Sequence, residues 1–256
     1  MSRYERWNAL LGLLAQQGRL TVEEAAATLD VSTATIRRDF DELSRQQMLM
    51  RTRGGAVAQS VSYDLPLRYK TARHAGEKQR IAEAAAGLVP PGAVVGMNGG
   101  TTTSEVARTL ALRADPATRL TVVTNALNIA AELTVRQNVK LVVTGGVARP
   151  QSYELIGPLS TGVLEQVTLD IAFLGVDGID VETGASAHHE GEASVNNLLI
   201  GRAARVVAVA DASKIGRRAF AKICAVDRID VLITDVGLSD AATGAFIEAG
   251  VDVVRV

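Results

Sequence analysis

Within seven residues the chain sets Ser32, Thr33 and Thr35 beside Arg37 and Arg38. Hydroxyls and guanidiniums gathered at one helix start are the groups that reach base edges and phosphate oxygens of duplex DNA. Arg51 and Arg53 follow, flanking Gly54-Gly55. The glycines permit a tight turn, and the cations beside it suit a phosphate backbone. A second group lies at NGGTTTSEV. There Gly99 and Gly100 allow close backbone approach, and Thr101, Thr102 and Thr103 supply hydroxyls at the start of a helix. Free N–H groups and the helix dipole make such a start an anion site, most naturally for phosphate. No lysine follows the glycines and the G-x-G-x-x-G spacing is absent, so neither a Walker loop nor a dinucleotide fingerprint is present. A plainer reading of both groups is a structural helical hairpin with solvated arginines, and a capped helix whose glycines are needed sterically.

The elements that must position these residues can be read around them. Thr21 and Glu24 form a capping box, so a helix starts there. Asp30-Val31 breaks the pattern, and Ser32 is the N-cap of a second helix. In that helix Ile36, Phe40 and Leu43 make one apolar stripe, leaving Thr33, Thr35, Arg37 and Arg38 outside. A ribbon with a Gly-Gly tip follows. The outline is a winged helix-turn-helix, which fits the major groove of DNA. Trp7, Leu10, Leu11 and Leu14 give the N-terminal segment one apolar face, so it reads as the first helix of the head and not as a signal peptide.

Local charge supports a head and a body of different character. From Arg45 to Arg80 there are eight basic residues and two acidic ones; beyond Arg80 there are 14 basic and 19 acidic. The single cysteine, Cys224, excludes an internal disulfide framework, points to the cytoplasm, and reads as a buried thiol. No apolar run approaches the ~20 residues of a membrane helix. The expected organisation is a DNA-binding head over residues 1–58, a linker over 59–76 that contains Pro66, and a body over 77–256. The body opens on a helix from Glu77 to Leu88.

Seven Val/Ile/Leu-rich runs then alternate with helical patterns: 93–97, 120–124, 140–144, 171–176, 205–210, 230–234 and 251–256. Runs apolar on both faces predict a mostly parallel sheet and a doubly wound α/β domain. Ligands of such sheets bind beyond the carboxyl ends of the strands. Asn125, Gly145-Gly146, Asp177, Asp180 and Lys214 all follow predicted strands. The two aspartates could accept hydrogen bonds from sugar hydroxyls, and Lys214 could meet a phosphate or carboxylate. His188, His189 and Glu190 are adjacent and cannot share one face, so a metal site is not expected there.

VSTATIRRDFDEL followed by RTRGGA resembles the signature of the DeoR family of bacterial transcriptional regulators. Gly-Gly-Thr-Thr-Thr, Thr-Asn-Ala-Leu, Thr-Gly-Gly, Gly-Val-Asp-Gly-Ile-Asp and Asp-Ala-Ser-Lys extend the resemblance over the whole chain. It implies that Ser32, Thr33, Thr35, Arg37 and Arg38 read DNA. It also implies a body similar in fold to ribose-5-phosphate isomerase, with Gly99 to Thr103 on a phosphate and Asn125, Asp177, Glu192 and Lys214 around a sugar. Two positions depart from the family pattern: Gln47 replaces a helix-ending glycine, and Arg53 a common histidine. GASAHHEGEA resembles the branch that controls amino-sugar catabolism, such as the N-acetylgalactosamine repressors. The expected function is an oligomeric (dimeric or tetrameric) repressor of a sugar-catabolism operon, modulated by a phosphorylated sugar, with no cofactor. The alternative is a sugar-phosphate isomerase or deaminase carrying a DNA-binding head. Against it, VETGASAHHEGEASVNN after the Asp177–Asp180 loop holds no lysine, where the isomerase needs one.

Overall fold

The computed structural model describes residues 1–46, 48–57, 67–70 and 73–256. They form two compact units, Met1–Arg73 and His74–Val256. Gln47 and most of the expected linker, Pro66 included, lie outside the described residues.

The first unit runs α1 (Arg3–Gln17), β1 (Arg19–Thr21), α2 (Val22–Leu29), α3 (Thr33–Arg45), β2 (Met50–Thr52), β3 (Gly55–Val57) and a single turn α4 (Leu67–Lys70). Capping boxes at Ser2/Glu5 and Thr21/Glu24 start α1 and α2. Asp30, in the left-handed region at φ 51°, ends α2 and turns the chain into α3. Trp7, Leu10, Leu11 and Leu14 of α1 pack with Ile36, Phe40 and Leu43 of α3 in one core. A fully buried side chain of this kind contributes about 1.5–3 kcal/mol.

The wing is a three-stranded antiparallel sheet in the order β1-β3-β2. The ribbon expected from sequence thus gains a strand, because Thr21 caps α2 while ending β1. Gly54 takes φ +85°, and a Cβ on Gly55 would stand 2.4 Å from the Leu20 carbonyl oxygen. The first glycine makes the turn and the second lets β3 close on β1. Gly55→Ala is therefore expected to destabilise the head by more than the ~1 kcal/mol typical of a point substitution, lowering its melting temperature while the second unit's transition stays in place.

The second unit runs α5 (Ala75–Gly87), β4 (Val94–Met97), α6 (Thr101–Arg113), β5 (Leu120–Thr124), α7 (Leu127–Leu133), β6 (Val139–Val143), β7 (Val147–Ala148), β8 (Leu155–Ile156) and α8 (Thr161–Leu164). It continues through β9 (Leu169–Gly175), β10 (Gly178–Asp180), β11 (Gly184–Ala187), α9 (Glu190–Ile200), β12 (Ala203–Val209), β13 (Ala221–Cys224), β14 (Val231–Thr234), α10 (Asp240–Glu248) and β15 (Asp252–Arg255). The seven apolar runs became one sheet, ordered β15-β14-β12-β9-β4-β5-β6. Every neighbouring pair in it is parallel.

Alternate residues serve two cores. Val95, Met97, Ile171, Phe173, Val207 and Val209 face one, with Ile81, Val106, Leu110 and Ile129 of the helices. Ala172, Leu174, Val206, Ala208 and Leu232 face the other, with Leu199 and Phe246. This two-sided burial makes the domain doubly wound. The chain leaves β4 in one direction, through β5 and β6, then returns to β9 and proceeds the other way. Strand order reverses between β4 and β9, and the crevice outside that pair is where such sheets bind ligands. A smaller sheet, β10-β11-β13, and a hairpin of β7 with β8 complete the unit.

Candidate functional site

In the head, α3 presents two faces. Thr33, Arg37 and Arg38 are exposed, opposite the buried Ile36, Phe40 and Leu43. Ser32 and Thr35 cap the helix: Ser32 Oγ accepts from the Thr35 amide at 3.2 Å, and the two hydroxyls are 2.9 Å apart. Arg53 is exposed beside the wing turn. Arg51 is held closer in, its Nε 2.9 Å from Asp41 Oδ1 and its Nη1 donating to the Gly55 carbonyl at 3.0 Å. Its guanidinium also lies 5.6 Å from the centre of the Phe40 ring. Arg51 thus braces the wing against α3.

Asp39, inside the Thr-Ile-Arg-Arg-Asp run, is a residue that the sequence reading passed over. It is 4% exposed and accepts from Trp7 Nε1 at 2.8 Å and from Arg6. The available signal was position: Asp39 falls three residues after Ile36, on the apolar stripe, where a carboxylate needs a partner.

In the second unit, Asn98 spans the switch point. Its Nδ2 donates to the Gly175 carbonyl at 3.0 Å, and its Oδ1 accepts the Gly175 amide at 2.8 Å. The ends of β4 and β9 are thereby clasped. Gly100 is the N-cap of α6, at φ 146°, and no side chain caps that helix. The first amides of α6 therefore open towards the crevice side of the sheet without a side-chain acceptor. Thr102 and Thr103 are buried, whereas Gly100 and Thr101 are half-exposed. The Thr103 and Ser104 hydroxyls donate to the Gly100 carbonyl at 3.1 and 2.7 Å, fixing the loop from below.

The amide of Gly99 is already taken. It donates to Glu154 Oε1 at 2.7 Å, and Asn125 Nδ2 stands 3.4 Å from Glu154 Oε2. Glu154 sits on the hairpin β7/β8, which is laced to the end of β5 by Leu155 N to Asn125 O at 2.7 Å and Leu127 N to Tyr153 O at 2.9 Å. Two sequence-predicted residues converge on it. Glu192, in the first turn of α9, is nearly buried and accepts from Arg149 Nη1 of the hairpin at 2.8 Å. Asp177, after β9, accepts the His188 amide at 3.0 Å, with His188 Nε2 3.8 Å from its other oxygen.

Burial pushes the Glu154 carboxyl up to about 8. The charge of Glu192 adds to the rise, the hydrogen bonds from Gly99 and Asn125 oppose it, and Asp177 adds a smaller push. Burial thus favours the neutral form of the Glu154 carboxyl. Glu154, Arg149, Asn98 and His188 are the members of the cluster that sequence reading did not assign. SYELIGP carries no strand-length apolar run, and hairpin contacts leave no local pattern.

Other predicted residues are placed by different forces. A Cβ on Gly145 would stand 2.6 Å from the Leu159 carbonyl oxygen, and one on Gly146 2.5 Å from Ser160 Oγ. Packing against the 158–160 turn accounts for both glycines. Asp180, expected to meet sugar hydroxyls, accepts instead from the amides of Glu182 and Thr183 at 3.0 and 3.1 Å and pairs with Arg218. It closes the β10–β11 turn. Lys214 ends a short helical turn after β12 and precedes Ile215, which bridges to Ile179 of β10. His189 caps α9 by accepting the Gly191 amide on Nδ1 at 3.1 Å. Cys224 is buried, and burial raises its thiol. Among the described residues no group of three His, Cys, Asp or Glu side chains is placed to hold a metal ion, and no helix is long and apolar enough to cross a membrane.

These two units match known families. Residues 6–61 match the DeoR-like helix-turn-helix domain and residues 73–236 the DeoR C-terminal sensor domain. The chain is 36% identical over 255 residues to a protein assigned as the aga operon transcriptional repressor in Escherichia coli O157:H7, covering 98% of this chain and 93% of that one. It is 32% identical over 235 residues to the glycerol-3-phosphate regulon repressor of Escherichia coli K12, covering 92% of each. Among solved structures it is similar to ribose 5-phosphate isomerase A from Methanocaldococcus jannaschii, at 20% identity and a TM-score of 0.43, over 56% of this chain and 55% of that one. The fold and the site together define a two-part sensor regulator that binds DNA. The chain belongs to the DeoR family of transcriptional regulators. It is a regulator and not an enzyme, which sets aside the isomerase alternative.

Proposed function

We propose that the chain represses a sugar-catabolism operon and releases its operator when a phosphorylated sugar binds the second unit. The reading makes residues 1–58 the DNA-binding head, 59–76 the linker and 77–256 the sensing domain. The observation that carries it is the start of α6, uncapped by any side chain, at the switch point of the sheet, with Asn125, Glu154, Asp177 and Glu192 grouped beside it. An anion site with polar groups of this kind alongside suits a phosphate ester of a polyhydroxylated molecule. In this reading Gly99 to Thr103 hold the phosphate, while Asn125, Asp177, Glu192 and Lys214 meet the sugar. The name of the glycerol-3-phosphate regulon repressor lends support, since it names a phosphorylated small polyol. Two heads in a dimer or tetramer would read repeated half-sites, and a DNA-bound regulator works in the cytoplasm.

The head's part is tested with Arg37→Ala and Arg38→Ala. Each is expected to cost about 1–3 kcal/mol of operator affinity, as losing a base or phosphate contact does. Gel shifts read the loss, and unchanged melting shows that the fold survives. The sensor's part is tested by adding phosphorylated sugars, amino sugars included, to the repressor–operator complex. The expected result is release by one phosphorylated sugar and a rise in melting temperature with the same compound. Release by the unphosphorylated sugar alone would overturn the phosphate reading.

A further inference from the structure

We propose that Glu154 is a proton-linked gate on the anion loop: as a neutral acid it admits a phosphate to Gly99–Thr103, and as a carboxylate it repels one. The inference rests on the sensor reading above and adds a regulation that reading does not require.

The geometry leaves little room for indifference. Glu154 Oε1 is hydrogen-bonded to the amide that opens the loop, at 2.7 Å. A Cβ on Gly99 would stand 2.6 Å from Glu154 Cγ, so side chain and loop backbone are in contact. An anion held by the next amides of the loop therefore lies beside this carboxyl. A negative charge there opposes it in a site that is almost dry, with Glu154 2% exposed and Asn125 wholly buried. A neutral carboxyl removes the repulsion and still accepts the Gly99 hydrogen bond.

A second observation points to the acid form. Asn125 Oδ1 is buried without a partner. Its amide nitrogen meets Glu154 Oε2 and the Leu155 carbonyl only at 3.4 Å each, so the second carboxyl oxygen is weakly held and little hydrogen bonding there opposes its protonation.

Among the described residues, charged neighbours of Glu154 come from two elements and the hairpin. From α9 comes Glu192, paired with Arg149 of the hairpin, and from the loop after β9 comes Asp177, with His188 beside it. The two carboxylates favour the neutral form of Glu154, and a bound dianion acts in the same sense. Binding should therefore draw one proton from solvent onto Glu154 wherever it is ionised beforehand.

The test is calorimetric titration of the full chain with inorganic phosphate at pH 7 and pH 9, and at pH 8.5 in two buffers of different ionisation enthalpy. Measured against Glu154→Gln, the native protein's affinity is expected to fall about tenfold from pH 7 to pH 9, with proton uptake on binding at pH 8.5. Glu154→Gln should bind at both pH values without that uptake. Its affinity should hold or rise, because phosphate itself becomes more fully dianionic over the range. Anion binding by the head is common to both proteins and cancels in the comparison. If both proteins show the same pH profile and the same proton count, the gate is wrong and the sensor reading stands. If a folded Glu154→Gln fails to bind at pH 7, Glu154 is a direct ligand and the gate is again wrong. If neither protein binds phosphate in the second unit at any pH, the sensor reading falls and the gate with it. A direct measurement needs no variant: the carboxyl 13C signal of Glu154 should titrate above neutrality and move further up with phosphate. A midpoint in the ordinary carboxylate range, or one that phosphate leaves in place, would sink the proposal.

Discussion

Replacing Asp39 by Ala is expected to unfold the head and abolish operator binding, although Asp39 is buried and lies off the exposed face of α3. Its carboxylate is buried between α1 and α3 and takes hydrogen bonds from Arg6 and Trp7. Removing one partner of a buried ion pair leaves the other charge desolvated, at a cost of about 3–5 kcal/mol. A small head has little more than that in total, roughly 5 kcal/mol for a marginal domain. Its melting transition should drop or vanish while that of the second unit remains. The contrast with Arg37→Ala and Arg38→Ala is the useful part. Those variants are expected to lose DNA with the fold intact, whereas Asp39→Ala is expected to lose it because α3 is no longer held against α1. Intact melting in Asp39→Ala would show that the buried pair contributes nothing.

The second large effect is the pH dependence of the sensing unit. Glu154 has a folded-state pKa of about 8, above the ordinary 4.5 of the carboxyl. The folded state therefore binds a proton that the unfolded chain has lost between those two values. Stability falls as pH rises through that window, and the loss is complete above about pH 8. A shift of this direction amounts to about 3 kcal/mol or more, since each unit is worth about 1.4 kcal/mol. Glu154→Gln should remove this slope and melt higher than the native protein at pH 9. Melting curves of the two proteins between pH 5 and pH 9 decide the matter, and parallel curves would show that Glu154 ionises normally.

Much of the fold was legible because the physics is local. The inner strands are buried on both faces and the edge strands β6 and β15 are only partly covered, yet each run is apolar enough to read as a strand without knowledge of its neighbours, and all seven entered the central sheet. Thr21 and Ser32 announced their helices through capping hydrogen bonds three residues long. What escaped was non-local or dual in role. The strand β1 hid because it spans three residues and ends on a cap. Arg51 read as a phosphate contact, since nothing in RTRGGA discloses Asp41 and the Phe40 ring waiting across the wing. Gly145-Gly146 looked like a ligand loop, although the atoms they accommodate belong to the turn near Leu159 and Ser160. The carboxylate cluster was partly seen: Asp177 was read from its place after a strand and Glu192 from resemblance, while Glu154 arrives on a hairpin that closes 55 residues away from Gly99.

The Asn98–Gly175 clasp has a consequence for how the molecule is made. It joins residues 77 positions apart. Strand β4 leaves the ribosome early, and its partner on one side, β9, follows only after β5, β6 and the hairpin. Until then one edge of β4 stays unpaired and the switch point does not exist. A nascent chain that stops short of β9 therefore holds every residue of the first unit but an unfinished second one. Contacts of such long sequence separation form slowly, so a delay between completing the first unit and completing the second is built into the order in which the strands are synthesised.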